Sequence, residues 1–196
     1  MVGQGAKRAA ILPMSAPVGH ARRSEKRGSM RCFVAIPVSG ELAQRCQALS
    51  EGLPGAVPVP NLHLTLAFLG NINGQRRDAI DEWLQAVTGE HGPFVLPLTR
   101  CEPFPGSRGP FLALTPGSPP APLLHLYQAL LPGLPEADIR RPYRPHVTLA
   151  RPGQGLPVKT GQWTLTVDRL CLYHSQTRPK GPPLYQPLAT YPLEPL

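Results

Sequence analysis

The sequence is poor in acidic residues: 12 Asp and Glu stand against 20 Lys and Arg, for a formal net charge of +8. Arg outnumbers Lys 16 to 4. A guanidinium fork meets phosphate oxygens two at a time, so an Arg-led surplus suits phosphate-bearing partners. The surplus is uneven, because residues 1–29 carry +5 of it and leave +3 for residues 30–196. A body that mildly basic fits a small phosphorylated end better than a long nucleic-acid track. Charged residues of both signs make up only 16% of the chain, which argues against a coiled coil or helical array.

Cysteine is also scarce. Cys32, Cys46, Cys101 and Cys171 form no CxxC, and no His/Cys group has zinc spacing. Cys32 and Cys171 sit in apolar strand-like runs and Cys46 on a helical stripe, so buried free thiols in a reducing cytoplasm are expected. No apolar run approaches the roughly 18–20 residues that span a bilayer. Ala9–Met14 is too short, and too interrupted by Pro13, for a signal peptide.

What the chain does have is 41% hydrophobic residues, 27 Pro and 19 Gly, the composition of a loop-rich globular body. Its length favours one domain with at most two small lobes. Residues 1–29 lack a hydrophobic period and are expected to be a disordered basic extension. An RNA-binding arm and a transit peptide are the alternatives. Met30 opens the first convincing strand and is a candidate start of the folded protein, taken as 30–196.

Within that body, strands are expected at Arg31–Pro37, Leu62–Leu69, Phe94–Arg100, Phe111–Thr115, His146–Ala150, Gln162–His174 and Leu184–Tyr191. Pro187 marks the last as an edge or a bulge. Helical stripes run through Leu42, Cys46 and Leu49 behind a Ser39 cap, through Ile80, Trp83, Leu84 and Val87, and through Leu123, Leu126, Tyr127, Leu130 and Leu131. Asn73-Gly74 reads as a turn. Helices are too few for a doubly wound parallel sheet, so the fold class is α+β with mostly antiparallel sheets.

Two segments repeat one another: Leu62-His63-Leu64-Thr65-Leu66-Ala67 and Pro145-His146-Val147-Thr148-Leu149-Ala150. In a strand, residues i and i+2 share a face. Each segment therefore has an apolar back and a His/Thr front. By composition a His has Thr two positions on about once in twenty, so one HxT is weak and two in matching context are specific. His20, His91, His125 and His174 lie in no repeated context. The motifs stand 83 positions apart, each in a strand-and-helix unit of similar size, which suggests a pseudo-duplicated, two-lobed fold with both strands on one cleft. Two histidines across a cleft suit phosphodiester cleavage. One takes a proton from the attacking water and the other gives one to the leaving ribose oxygen. Thr65 and Thr148 can donate hydrogen bonds to the phosphoryl oxygens.

At these residues the chain resembles the 2H phosphoesterase superfamily, and within it the RNA 2′,3′-cyclic phosphodiesterases, also called 2′-5′ RNA ligases. The resemblance runs from Met30 to about Leu193. It rests on MRCFVAIPV, on Asn61–Gly70 (NLHLTLAFLG), on Arg144–Arg151 (RPHVTLAR), and on Leu172-Tyr173-His174-Ser175, where His174 stands at a frequent Arg. It implies a bilobal fold with helices packed outside and a central cleft, no metal, no cofactor, and hydrolysis of a 2′,3′-cyclic phosphate on RNA ends to a 2′-phosphomonoester. It assigns His146 as base, His63 as acid and Arg151 as a phosphate ligand, with Phe68, Tyr143 and Arg144 as candidates to flank the nucleotide. The near-identical motifs do not by themselves say which His is which. A ligase, another phosphodiesterase of this fold, a non-catalytic RNA-end binder and a metal hydrolase are the other readings. Substrate choice is expected in the loops around 102–110 and 152–160. A monomer with no membrane association is expected.

Overall fold

The computed structural model describes residues 28–195, so the expected extension over 1–29 lies, but for its last two residues, outside the described residues. Its first strand, β1 (Met30–Pro37), has five consecutive buried residues, Cys32–Ile36, as a strand covered on both faces requires. There follow α1 (Gly40–Ser50), β2 (His63–Ile72), α2 (Gly74–Gly89), β3 (Phe94–Phe104), β4 (Phe111–Thr115), α3 (Ala121–Leu130), β5 (Val147–Ala150), β6 (Lys159–Val167), β7 (Arg169–Gln176) and β8 (Leu184–Pro192).

The expected α+β class with antiparallel pairing is what the chain forms, although the strands make one sheet rather than separate ones. Its order is β6-β3-β4-β5-β2-β1-β7-β8, and every neighbouring pair is antiparallel. Two strand–helix–strand units, β1-α1-β2 and β4-α3-β5, each deliver a motif strand to the middle of the sheet. The two motif strands meet there at Leu64–Val147. Leu62, Leu64, Leu66, Val147 and Leu149 pack on the back with Leu42, Cys46, Ile80, Leu84, Leu123 and Leu126 of the helices. Truncating a fully buried residue such as Leu64 to Ala costs about 2–5 kcal/mol, so this rung is held firmly.

Two expectations change. The single strand Gln162–His174 is two strands broken at Asp168, and they lie in opposite halves of the sheet. The core residues shift phase there, from Trp163, Leu165 and Val167 to Leu170 and Leu172, and a side-chain period of two cannot bridge that shift. Asn73-Gly74 is not a free turn but the start of α2, where the Asn73 side chain accepts from the Arg76 amide at 2.8 Å. Ser39 does hold the N-cap position of α1, but its hydroxyl accepts from the Arg169 guanidinium instead of capping. Pro187 lies on the edge strand β8 and next to a register shift, which satisfies both readings of it. All four cysteines are free and buried. Among the described residues no helix is long and apolar enough to cross a membrane.

Candidate active site

The register at Leu64–Val147 sets His63 opposite Thr148 and Thr65 opposite His146. The two histidines thus lie on the diagonal of the ladder, about 7–8 Å apart at that level. All four side chains line one cleft of 540 Å³, together with Arg151.

The two histidines are held in the same way. His63 Nδ1 lies 2.7 Å from the Asn61 carbonyl, and His146 Nδ1 lies 2.8 Å from the Arg144 carbonyl. A carbonyl only accepts, so each Nδ1 carries the hydrogen and each Nε2 is the nitrogen left to titrate. At His63 that nitrogen accepts from the Thr65 hydroxyl at 3.1 Å. Asn61 is itself fixed, because its side-chain amide donates to the Pro183 carbonyl at 2.8 Å.

Their surroundings differ. Around His63 stand Phe33 at 4.9 Å, Tyr185 edge-on at 5.3 Å and Tyr173 at 6.3 Å between ring centroids. His146 stacks on Phe104 at 4.3 Å and lies 5.3 Å from Phe111. Those two phenylalanines also carry guanidinium groups, Arg144 on Phe104 and Arg151 on Phe111, each 4.3 Å from the ring centroid. Burial among aromatic rings pushes both imidazoles below the ordinary histidine value, against the pull of their carbonyl partners. At His146 the charges of Arg151 and Arg144 push further in the same direction, whereas at His63 the charge that pushes is His146 itself.

Arg151 is placed through its backbone. Its amide donates to the Gly55 carbonyl at 3.0 Å, and Val57 donates to the Leu149 carbonyl at 2.8 Å. Gly55 has φ +63°, and a Cβ there would sit 2.0 Å from the Arg151 carbonyl oxygen, so only glycine allows this approach.

Four expectations need comment. Tyr143 does not face the cleft: it stacks on Tyr127 at 4.0 Å and its hydroxyl donates to the Thr65 carbonyl at 3.1 Å, behind the motif. Arg144 lies on the Phe104 ring and serves His146 through its carbonyl. Phe68, which simple alternation would place on the apolar back, is 64% exposed and lines the cleft. Register shifts in the β1–β2 ladder pair it with Phe33 on the front, as a bulge does when it re-aims a side chain. Residues 102–110 and 152–160 do not line the cleft. They bind one another, Gly153 donating to the Pro110 carbonyl at 2.8 Å, and the walls come from residues 55–58 and 182–183.

The aromatic surroundings, Asn61 and the 55–58 wall were not found by sequence reasoning. Among the described residues no three His, Cys, Asp or Glu gather as a metal site would need.

Known proteins share this chain's sequence pattern and fold. The model of the 2′-5′ RNA ligase superfamily matches residues 54–179. An RNA 2′,3′-cyclic phosphodiesterase of Escherichia coli is 31% identical over 83% of this chain and 96% of its own length. One of Geobacillus stearothermophilus is 27% identical over 82% of this chain, which spans only 56% of that relative. A crystal structure from Thermus thermophilus superposes with a TM-score of 0.74 at 25% identity, covering 84% of this chain and 98% of the other. The matched segment contains both motifs and every strand except β1 and β8, and the chain belongs to the 2′-5′ RNA ligase superfamily.

Proposed function

We propose that this protein is an RNA 2′,3′-cyclic phosphodiesterase that opens cyclic phosphate ends to 2′-phosphomonoesters, with His63 and His146 as its acid–base pair. The observation that carries the reading is that both Nδ1 atoms are tied to carbonyls, which leaves two Nε2 atoms and two threonine hydroxyls on one cleft.

In the reaction, His146 Nε2 takes a proton from water as the water oxygen bonds to phosphorus. The P–O3′ bond breaks and His63 Nε2–H gives its proton to O3′. The products are a 3′-hydroxyl and a 2′-phosphate. Thr65, Thr148 and Arg151 hold the phosphoryl oxygens as charge builds on them. The assignment of roles follows the unequal surroundings. Two guanidinium groups disfavour a proton on His146, which suits a base. At His63, where burial is the largest cause, the only opposing charge is that of His146, which disappears when His146 is neutral, and on that difference in charge we assign His63 as the acid.

Both histidines come from one chain, so a monomer carries a complete site. Four buried free thiols suit a reducing compartment such as the cytoplasm. The test is hydrolysis of a nucleoside 2′,3′-cyclic phosphate in excess EDTA with the product isomer identified. A 2′-phosphate formed at full rate is expected. A 3′-phosphate, or loss of activity with the chelator, would overturn the mechanism.

A further inference from the structure

Beyond Thr65 the cleft continues outward over the face of the paired strands β1 and β2, and this outer half takes no part in the chemistry above. Phe68 stands on its wall and Arg31 at its far end. Phe68 is the most open aromatic of the cleft, 64% exposed, with its ring 6.1 Å from that of the buried Phe33. A large apolar side chain held open by a bulge next to a site is a surface for something to lie on. Arg31 lies four residues along β1 from Ala35, which pairs with Thr65, or roughly 13 Å outward at strand spacing. It is exposed and takes part in none of the ion pairs among the described residues. Its charge is felt by the Tyr185 hydroxyl on the same cleft. The segment 169–193, which supplies Ser175, Pro182, Pro183 and Tyr185 to the cleft, contains Arg178 and Lys180 and no Asp or Glu.

An open aromatic followed by an exposed guanidinium matches the order of groups in a terminal nucleotide. With the cyclic phosphate at the histidines, the base lies beside the ribose and the 5′ oxygen points away from the reacting phosphorus. We infer that the outer cleft holds the terminal nucleotide by its base on Phe68 and its 5′-phosphodiester on Arg31, so that the enzyme selects the end of an RNA chain over a free nucleoside cyclic phosphate. The inference rests on the proposed activity and names the substrate class of that same cleft.

The experiment compares adenosine 2′,3′-cyclic phosphate with the dinucleotide ApA ending in the same cyclic phosphate, for the wild type, Arg31→Ala and Phe68→Leu. The wild type should favour the dinucleotide by about ten-fold in kcat/KM, and its log–log salt slope should be steeper by about 0.7. Arg31→Ala should bring the two substrates within about two-fold of each other and abolish the extra slope. Phe68→Leu, which keeps an apolar contact on Phe33 but loses the flat ring, should lower both substrates alike by about ten-fold. A wild type indifferent to the 5′ group, or a preference that survives in Arg31→Ala, would overturn the inference. Failure of the wild type to turn over either substrate would instead overturn the activity beneath it.

Discussion

The halves of the sheet around His63 and His146 use one backbone device and two different settings. In both, the imidazole leans back on the carbonyl two residues earlier and presents Nε2 to the cleft. One ring then sits among Phe33, Tyr173 and Tyr185, and among the described residues no arginine stacks on that cluster. The other sits on Phe104 and Phe111, which are backed by Arg144 and Arg151. A repeated motif thus supplies two similar cleft-facing imidazoles in unequal surroundings, and the proposed mechanism uses that inequality to make one the proton acceptor and the other the proton donor.

The largest effect expected from breaking this comparison is on turnover. His63→Ala and His146→Ala should each lower kcat by roughly 10²–10⁴-fold with the fold intact by circular dichroism. Arg151→Ala comes next. It should lower kcat/KM by roughly ten- to a hundred-fold, because a charge-assisted phosphate contact is lost. It should also move the acidic limb of the pH profile upward, since a charge that depresses His146 is gone. Arg144→Gln should give that upward shift with little loss of rate, as Arg144 is held on Phe104 outside the cleft lining. Gly55→Ala has no counterpart in the other half. It should lower the melting temperature, because the new methyl meets the Arg151 carbonyl and φ is +63°.

The smallest expected effect is on stability against pH. Both histidines are depressed below their ordinary value, so both states are neutral above that value and the pair contributes nothing there. As pH falls below about 6.5 the unfolded chain takes up protons first, and stability should decline by an amount set by the two shifts. Urea unfolding at about pH 7.5 and about pH 5.5, on either side of that value, measures it. A double His→Gln variant should show a weaker decline.

The grouping of the four motif side chains on one cleft was legible in the sequence because the motif is local. HxT in a strand places two groups on one face, and Leu62, Leu64 and Leu66 mark the other. The surroundings were not legible, because Phe33, Phe104, Phe111, Tyr173 and Tyr185 come from five different strands. In β4 all five residues are buried, so no alternation distinguishes the face of Phe111. Parity alone misplaces Phe68, since nothing in NLHLTLAFLG marks the register shifts that turn it to the front. The break at Asp168 is visible as a phase change between Val167 and Leu170, but the alternation on either side of it reads as one continuous strand. The walls of the cleft, Gly55–Pro58 and Pro182–Pro183, are loop residues brought in by long-range bonds that no local pattern encodes, backbone to backbone for the first and from the Asn61 side chain for the second.

The division of labour between the two histidines is the central claim, and the pH dependence of kcat/KM for the wild type, His63→Ala and His146→Ala tests it most directly. The account predicts a bell for the wild type centred on the acid side of about 6.5, the ordinary histidine value. It also predicts that the acidic limb is lost in His146→Ala and the basic limb in His63→Ala. A variant that keeps the full bell at wild-type rate, or loss of the same limb in both, would contradict it.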